Sequence, residues 1–168
     1  MTNMKRVYEI DGREFSTLEE ELKLIQSYLE IERARFEERL DVQIDVPADL
    51  QKIRIPTLIL QPLVENAIKH GISKIKQGGL VEISAKLETK KDKILLNLTV
   101  FDTGIGVSQD KISNGVGLNN IKHRLQNYYG NSACLNIQNV ESKGTKAELK
   151  FPVSEIEVKK ELSTDGHR

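Results

Sequence analysis

Four polar residues, Glu65, Asn66, Lys69 and His70, fall on one arc of a helix at about 100° per residue, and Leu60, Leu63, Val64, Ala67 and Ile68 fall on the complementary arc. The apolar arc is a core face, and the polar arc meets solvent or a ligand. Glu65 and Lys69, four apart, read first as an ordinary surface pair contributing about 0.3–0.5 kcal/mol. Asn66 does not suit that reading. Asparagine is a poor helix-interior residue, and a side-chain carbonyl between an acid and a base suits a hard cation. A second group begins where a hydrophobic run ends in Asp102-Thr103-Gly104-Ile105-Gly106, followed nine residues after Gly106 by Gly115-Val116-Gly117-Leu118 at the head of a helical pattern. Glycines let backbone approach a ligand, and a helix start offers free amides to phosphate oxygens, so the arrangement suits a nucleotide. It is not a Walker loop, because no Gly-Lys-Ser/Thr follows, and not a dinucleotide fingerprint, because Gly104-Ile105-Gly106 opens a loop. Asp102, at a strand end, either accepts from an exocyclic amine such as adenine's or caps the glycine turn, and Gly144-Thr145 either adds a hydroxyl to the same pocket or is a plain turn.

The elements that must carry these residues are legible from periodicity. Val7 to Ile10, Asp11-Gly12 and Arg13 to Phe15 suggest a small hairpin. Ser16-Thr17-Leu18-Glu19 has the capping-box pattern, so a helix should start there and run to about Arg39, with Leu18, Leu22, Ile25, Leu29, Ala34 and Phe36 on its apolar side. Val42, Ile44 and Val46 alternate with polar residues in a strand that Pro47 ends. Pro56 suits the first position of the polar-arc helix and Gly71 its stop. Strands follow at Val81 to Glu88 and Ile94 to Phe101, joined by a charged turn at Lys90 to Lys93. A helix with Leu118, Ile121, Leu125 and Tyr128 on one side stops at Gly130, and two last strands lie near Ala133 to Val140 and Thr145 to Phe151. Cys134 reads as a buried strand residue, and residues 108–114 as a short polar lid.

Composition narrows the function classes. The 168 residues fit one domain, with 25 basic and 25 acidic side chains giving zero formal net charge. That balance argues against a partner that is nucleic acid or an anionic membrane. No apolar run approaches the ~20 residues of a membrane span, and a single cysteine suits a reducing cytoplasmic setting.

The segments VENAIKHG (64–71), FDTGIGV (101–107) and GVGLNNIKHRL (115–125), in this order, resemble the N, G1 and G2 boxes of the GHKL ATPases. With ELKLIQSYLEIERARFEERL (21–40) upstream, the chain resembles the autolysin-sensor branch of sensor histidine kinases over residues 16–152. The resemblance implies an α/β two-layer sandwich, a mixed sheet covered on one face by helices. It implies ATP and Mg2+ as ligands, with Asn66 on the metal, Lys69 and His70 on the phosphate side, Asp102 on the adenine amino group and Thr145 beside it. Gly104 and Gly106 would let the loop approach the base, Gly115, Gly117 and Leu118 would form the lid hinge and phosphate cradle, and Glu65 would orient Lys69 or the metal's waters.

Residues 1–40 would be a remnant of the dimerisation and phospho-acceptor region, 41–153 the catalytic domain and 154–168 a charged tail. His70, His123 and His167 are the chain's histidines, and none sits in a phospho-acceptor motif. The implied activity is transfer of the ATP γ-phosphoryl to a histidine elsewhere in a dimeric parent, for relay to a response regulator, in the cytoplasmic portion of a membrane-bound sensor. A serine kinase of the anti-sigma class or a nucleotide-gated binding module would share the boxes. The first would phosphorylate a partner serine; the second would bind ATP and leave a supplied acceptor unphosphorylated.

Overall fold

The computed structural model describes residues 14–107, 116–140 and 144–154. Its elements in chain order are β1 (Phe15–Thr17), α1 (Leu18–Phe36), β2 (Leu40–Asp45), β3 (Arg54–Pro56), α2 (Gln61–Asn66), β4 (Gly79–Lys90), β5 (Lys93–Asp102), α3 (Val116–Tyr129), β6 (Cys134–Asn139) and β7 (Thr145–Pro152). Alternation of side chains builds the main sheet, a five-stranded array in the order β2-β4-β5-β7-β6. β2 lies parallel to β4, and the other pairs are antiparallel, which makes the sheet mixed. Lys91 and Asp92, at φ 49° and 66°, form the two-residue turn between β4 and β5, a geometry whose twist matches that of the strands it joins.

The two sheet faces differ in chemistry. Leu96, Leu98 and Val100 of β5 pair with Leu87, Ala85 and Ile83 of β4 and with Phe151, Leu149 and Ala147 of β7, forming the rows that bury the core. The opposite face carries Lys86, Glu88, Lys146, Glu148 and Lys150, with Lys150 Nζ 3.2 Å from Glu88 and Asn97 Nδ2 donating to Glu88 at 2.9 Å. Among the described residues the helices lie on the apolar face: α3 packs on β6 and β7, α1 on β2 and α2, and the helical continuation of α2 on β5. This is the two-layer α/β arrangement that the resemblance implies, built from the strands and helices that the periodicity predicts.

Several boundaries differ from the sequence expectation. The α1 cap is Thr17, the last residue of β1, whose Oγ1 accepts from Glu20 N at 3.1 Å. Of the expected hairpin, residues 7–13 lie outside the described residues, and Phe15 pairs with Pro56 of β3. Pro56 therefore ends a strand, and Pro62 takes the first-turn helix position that suits a residue without an amide proton. Gly71 does not stop the helix, because α2 continues as a wider π turn over Ala67–Gly71 and a tight 3-10 turn over Ile72–Lys74. Cys134 is exposed: Leu135 and Ile137 occupy the inward positions of β6, so Cys134 faces outward opposite Lys150. Gly130, at φ 61°, follows α3 as expected of a helix stop.

Candidate functional site

The inward rows of β5 and β7 change character at one end. After Leu98 and Val100 comes Asp102, and after Leu149 and Ala147, read towards the strand start, comes Thr145; the two are direct cross-strand partners. A buried row thus ends in a carboxyl and a hydroxyl, with Asp102 4% and Thr145 7% exposed. Burial pushes the Asp102 carboxyl up from 3.8 to about 6, and the Gly104 amide, donating to Oδ1 at 2.8 Å, pulls it partly back. That bond is the turn cap expected of a strand-end aspartate. It occupies one oxygen and leaves the group able to accept from a second donor. Among the described residues Thr145 Oγ1 is buried without a hydrogen-bond partner, which costs free energy unless a ligand or solvent completes it.

Glycines bring backbone against this pair. Gly144, at φ 93°, lies so close that a Cβ there would overlap the Asp102 carbonyl oxygen. A Cβ on Gly104 would overlap the Gly71 backbone, and one on Gly71 would stand 2.5 Å from Asp102 Oδ1. The end of the polar-arc helix is thereby pressed against the strand-end aspartate. Thr103 ties the strand end to β4, its Oγ1 accepting from Leu80 N at 2.9 Å. Beyond it, the Asn139 side chain brackets Val107, accepting from its amide at 2.7 Å and donating to its carbonyl at 2.8 Å, while Gly106, at φ 89°, leaves room for that side chain.

On α2, Leu63, Val64, Ala67 and Ile68 are buried, Glu65 and Asn66 are half-buried, and Lys69 and His70 are exposed, as the two-arc reading requires. The π turn begins directly after Asn66, a widening that recurs at functional sites. Glu65 Oε1 accepts from Gln61 Nε2 at 3.1 Å, and among the described residues it forms no ion pair with Lys69. The negative charges of Glu32 and Glu65 lie near Tyr28 of α1, whose hydroxyl is pushed up to about 12, first by burial and then by those charges. Leu118 is a core residue, and Gly117, in the first turn of α3, is exposed with open space where a Cβ would stand. Gly115 and the expected lid at 108–114 lie outside the described residues.

The structure therefore brings Asp102, Gly104, Thr145 and the end of the Asn66 helix together, with Lys69 and His70 at the exposed margin. Sequence reading missed Asn139, Tyr28, Glu21 and Arg124. Glu21 had left a signal, since an acid at the third position after Leu18 falls inside the apolar arc of α1. Chemically, the buried end offers acceptors and a hydroxyl to a heterocyclic amine, and the helix offers the Asn66 carbonyl oxygen to a hard cation and the Lys69 ammonium to anionic oxygens.

The histidine kinase-, DNA gyrase B-, and HSP90-like ATPase family matches residues 51–155, and the histidine kinase family matches residues 1–40. Sensor histidine kinase BtsS of Escherichia coli is 35% identical over 139 residues, covering 83% of this chain and 24% of that protein. Sensor histidine kinase/phosphatase LytS of Staphylococcus aureus is 33% identical over 138 residues, covering 75% and 23%. YwpD of Bacillus subtilis is 36% identical over 148 residues, covering 83% and 51%. The chain thus spans about half of YwpD and about a quarter of the two kinases. Among solved structures, a blue-light activated histidine kinase of Erythrobacter litoralis superposes with TM-score 0.61 at 20% identity, over 82% of this chain and 42% of that one. The catalytic domain of histidine kinase ThkA superposes with TM-score 0.60 at 14% identity, over 82% and 94%. These likenesses establish the shared fold.

Proposed function

Because the chain belongs to the histidine kinase-, DNA gyrase B-, and HSP90-like ATPase family, we propose that it is the ATP-binding catalytic part of a sensor histidine kinase. The observation that carries this reading is the buried cross-strand pair Asp102 and Thr145, one carboxyl with acceptor capacity to spare and one hydroxyl without a partner. Adenine's amino group suits the first and a ring nitrogen or bridging water the second. The close approach of Gly71 and Gly104 keeps the base against them. The phosphates then run along the solvent-facing arc of α2, where Lys69 and His70 are exposed to meet them. Asn66, a hard oxygen donor on that arc, suits Mg2+, which when bound supplies charge neutralisation on phosphate oxygens. Glu65, held by Gln61, orients groups around that position and does not anchor Lys69.

In the proposed reaction an acceptor imidazole nitrogen attacks the γ-phosphorus, the bond to the β-phosphate oxygen breaks and ADP leaves. The chain's contribution is positioning and electrostatics, which dominate phosphoryl transfer. The phosphohistidine would pass its phosphoryl group to a response regulator. In this reading residues 1–40 belong to the dimerisation and acceptor region of the parent, 41–153 to the catalytic domain and 154–168 to a tail. The setting is the cytoplasmic side of a membrane-bound sensor. Among the described residues no helix is long and apolar enough to cross a membrane.

Calorimetric titration with a non-hydrolysable ATP analogue, with and without Mg2+, tests the site. Wild type should bind, and more tightly with Mg2+; Asn66→Ala should lose about tenfold in the presence of the metal, ~1.4 kcal/mol, and little in its absence. Equal losses in both conditions would remove Asn66 from the metal. Absence of binding to wild type would overturn the nucleotide reading.

A further inference from the structure

The stretch that launches α2 is gripped from two sides, by a side chain of α1 and a side chain of α3. Leu58 holds φ 57°, a left-handed conformation uncommon for a residue with a branched side chain. On the carbonyl side of this turn, Arg124 of α3 donates from Nη2 to Thr57 O at 2.6 Å and from Nη1 to Leu58 O at 3.4 Å. On the amide side, Glu21 of α1 accepts at Oε1 from Leu60 N at 2.8 Å and from Gln61 N at 3.2 Å. The first amides of a helix have no partner within it, and Leu60, at the cap position, provides no side-chain bond. A carboxylate from a helix 39 residues upstream supplies it instead. Glu21 is 1% exposed and its Oε2 has no partner among the described residues, so the group is buried at a cost that the two amide bonds offset. Asn66 stands five residues, about 7.5 Å of helix rise, beyond Gln61, so the seating of this turn sets where Asn66 lies.

We propose that Glu21 and Arg124 are paired positioning residues for the phosphate end of the site, through which α1 and α3 together set the placement of Asn66. The proposal rests on the nucleotide reading. Its consequence is selectivity: disturbing either grip displaces the first turn of α2 and Asn66 most, while Asp102 and Thr145 stay held by the register of β5 and β7.

The test compares wild type with Glu21→Ala, Glu21→Gln, Arg124→Ala and Arg124→Lys, measuring the affinity of the same ATP analogue with and without Mg2+. Each alanine variant should reduce the factor by which Mg2+ tightens binding by about tenfold while the Mg2+-free affinity changes less than about twofold. Glu21→Gln keeps a carbonyl acceptor for the two amides and should recover most of that factor. Arg124→Lys, a point donor where a planar fork spans two carbonyls, should recover little. The double alanine variant should lose less than the product of the single losses, because both act on one turn. If an alanine variant does not fold, the contrast between Glu21→Gln and Arg124→Lys reads the same quantity. Parallel losses with and without Mg2+, or none, would overturn the positioning role with the nucleotide site intact. Failure of wild type to bind the analogue would overturn the nucleotide reading and this inference with it.

Discussion

The two ends of the site are built by different physics. The buried end is made by a sheet: Asp102 and Thr145 continue rows whose earlier members are Val100 and Ala147, so the backbone register that packs the core also aims the polar pair. The end proposed for the phosphates is made by a helix whose polar residues are half-buried or exposed and whose launching turn is held by side chains from α1 and α3. A sheet-borne pair is rigid because it shares the core's own hydrogen-bond ladder. A helix arc can move as a unit when its launching turn moves. One end is suited to recognition, and the other to being adjusted.

The strongest way to break this division is Gly104→Ala, because Gly104 meets Gly71 where the two ends join. Overpacking there should cost on the order of 1–3 kcal/mol in folding stability and abolish analogue binding with and without Mg2+ alike, checked by chemical denaturation and calorimetry. Asp102→Asn sharpens it: the loss should be on the order of 1.5–3 kcal/mol in affinity and, unlike that of Asn66→Ala, independent of Mg2+.

Glu21 provides a contrast in pH. Burial raises its carboxyl from 4.5 to about 7, with the Leu60 and Gln61 amides opposing. The folded state therefore holds the proton more tightly than the unfolded chain does. The group's favourable contribution is fully present below pH 4.5 and is lost as pH rises through about 7. Denaturation midpoints of wild type minus those of Glu21→Gln should accordingly fall between pH 5 and pH 8, by an amount on the order of 2–3 kcal/mol in stability. A difference that stays flat with pH would show that the carboxyl titrates in the fold as it does in the unfolded chain. The smallest effect belongs to Thr145→Val, which should weaken binding by about 0.5–1.5 kcal/mol and leave stability unchanged or higher, because it deletes a buried hydroxyl without a partner.

The two ends also differed in how far they could be read from sequence. Asp102 and the Gly144-Thr145 step stood out because alternation fixes which face each strand residue takes, and a polar side chain at the end of an apolar row is visible in one dimension. The same rule would have turned Cys134 outward, since Leu135 and Ile137 fix the phase of β6. The arcs of α2 were legible from helical spacing, but its start was not. Pro56 and Pro62 are equally suitable by local rules, and the choice was made by pairing with Phe15 and by capping from Glu21, contacts that no local window contains. The widening after Asn66 was hidden for the same reason, because hydrophobic spacing does not distinguish an α turn from a π turn over five residues. Arg124 lies 66 residues from Leu58, and nothing in its neighbourhood announces that bond.

Cys134 has a practical consequence. It is the chain's single cysteine, exposed on the outward face of β6, at the other end of that strand from Asn139. The two stand five positions apart along the strand, about 17 Å. A thiol-reactive dye would therefore attach at one address without any engineering of the sequence. There it would stand clear of the pocket, yet on the strand whose far end brackets Val107, a fixed vantage from which light emission could follow binding in the unaltered protein.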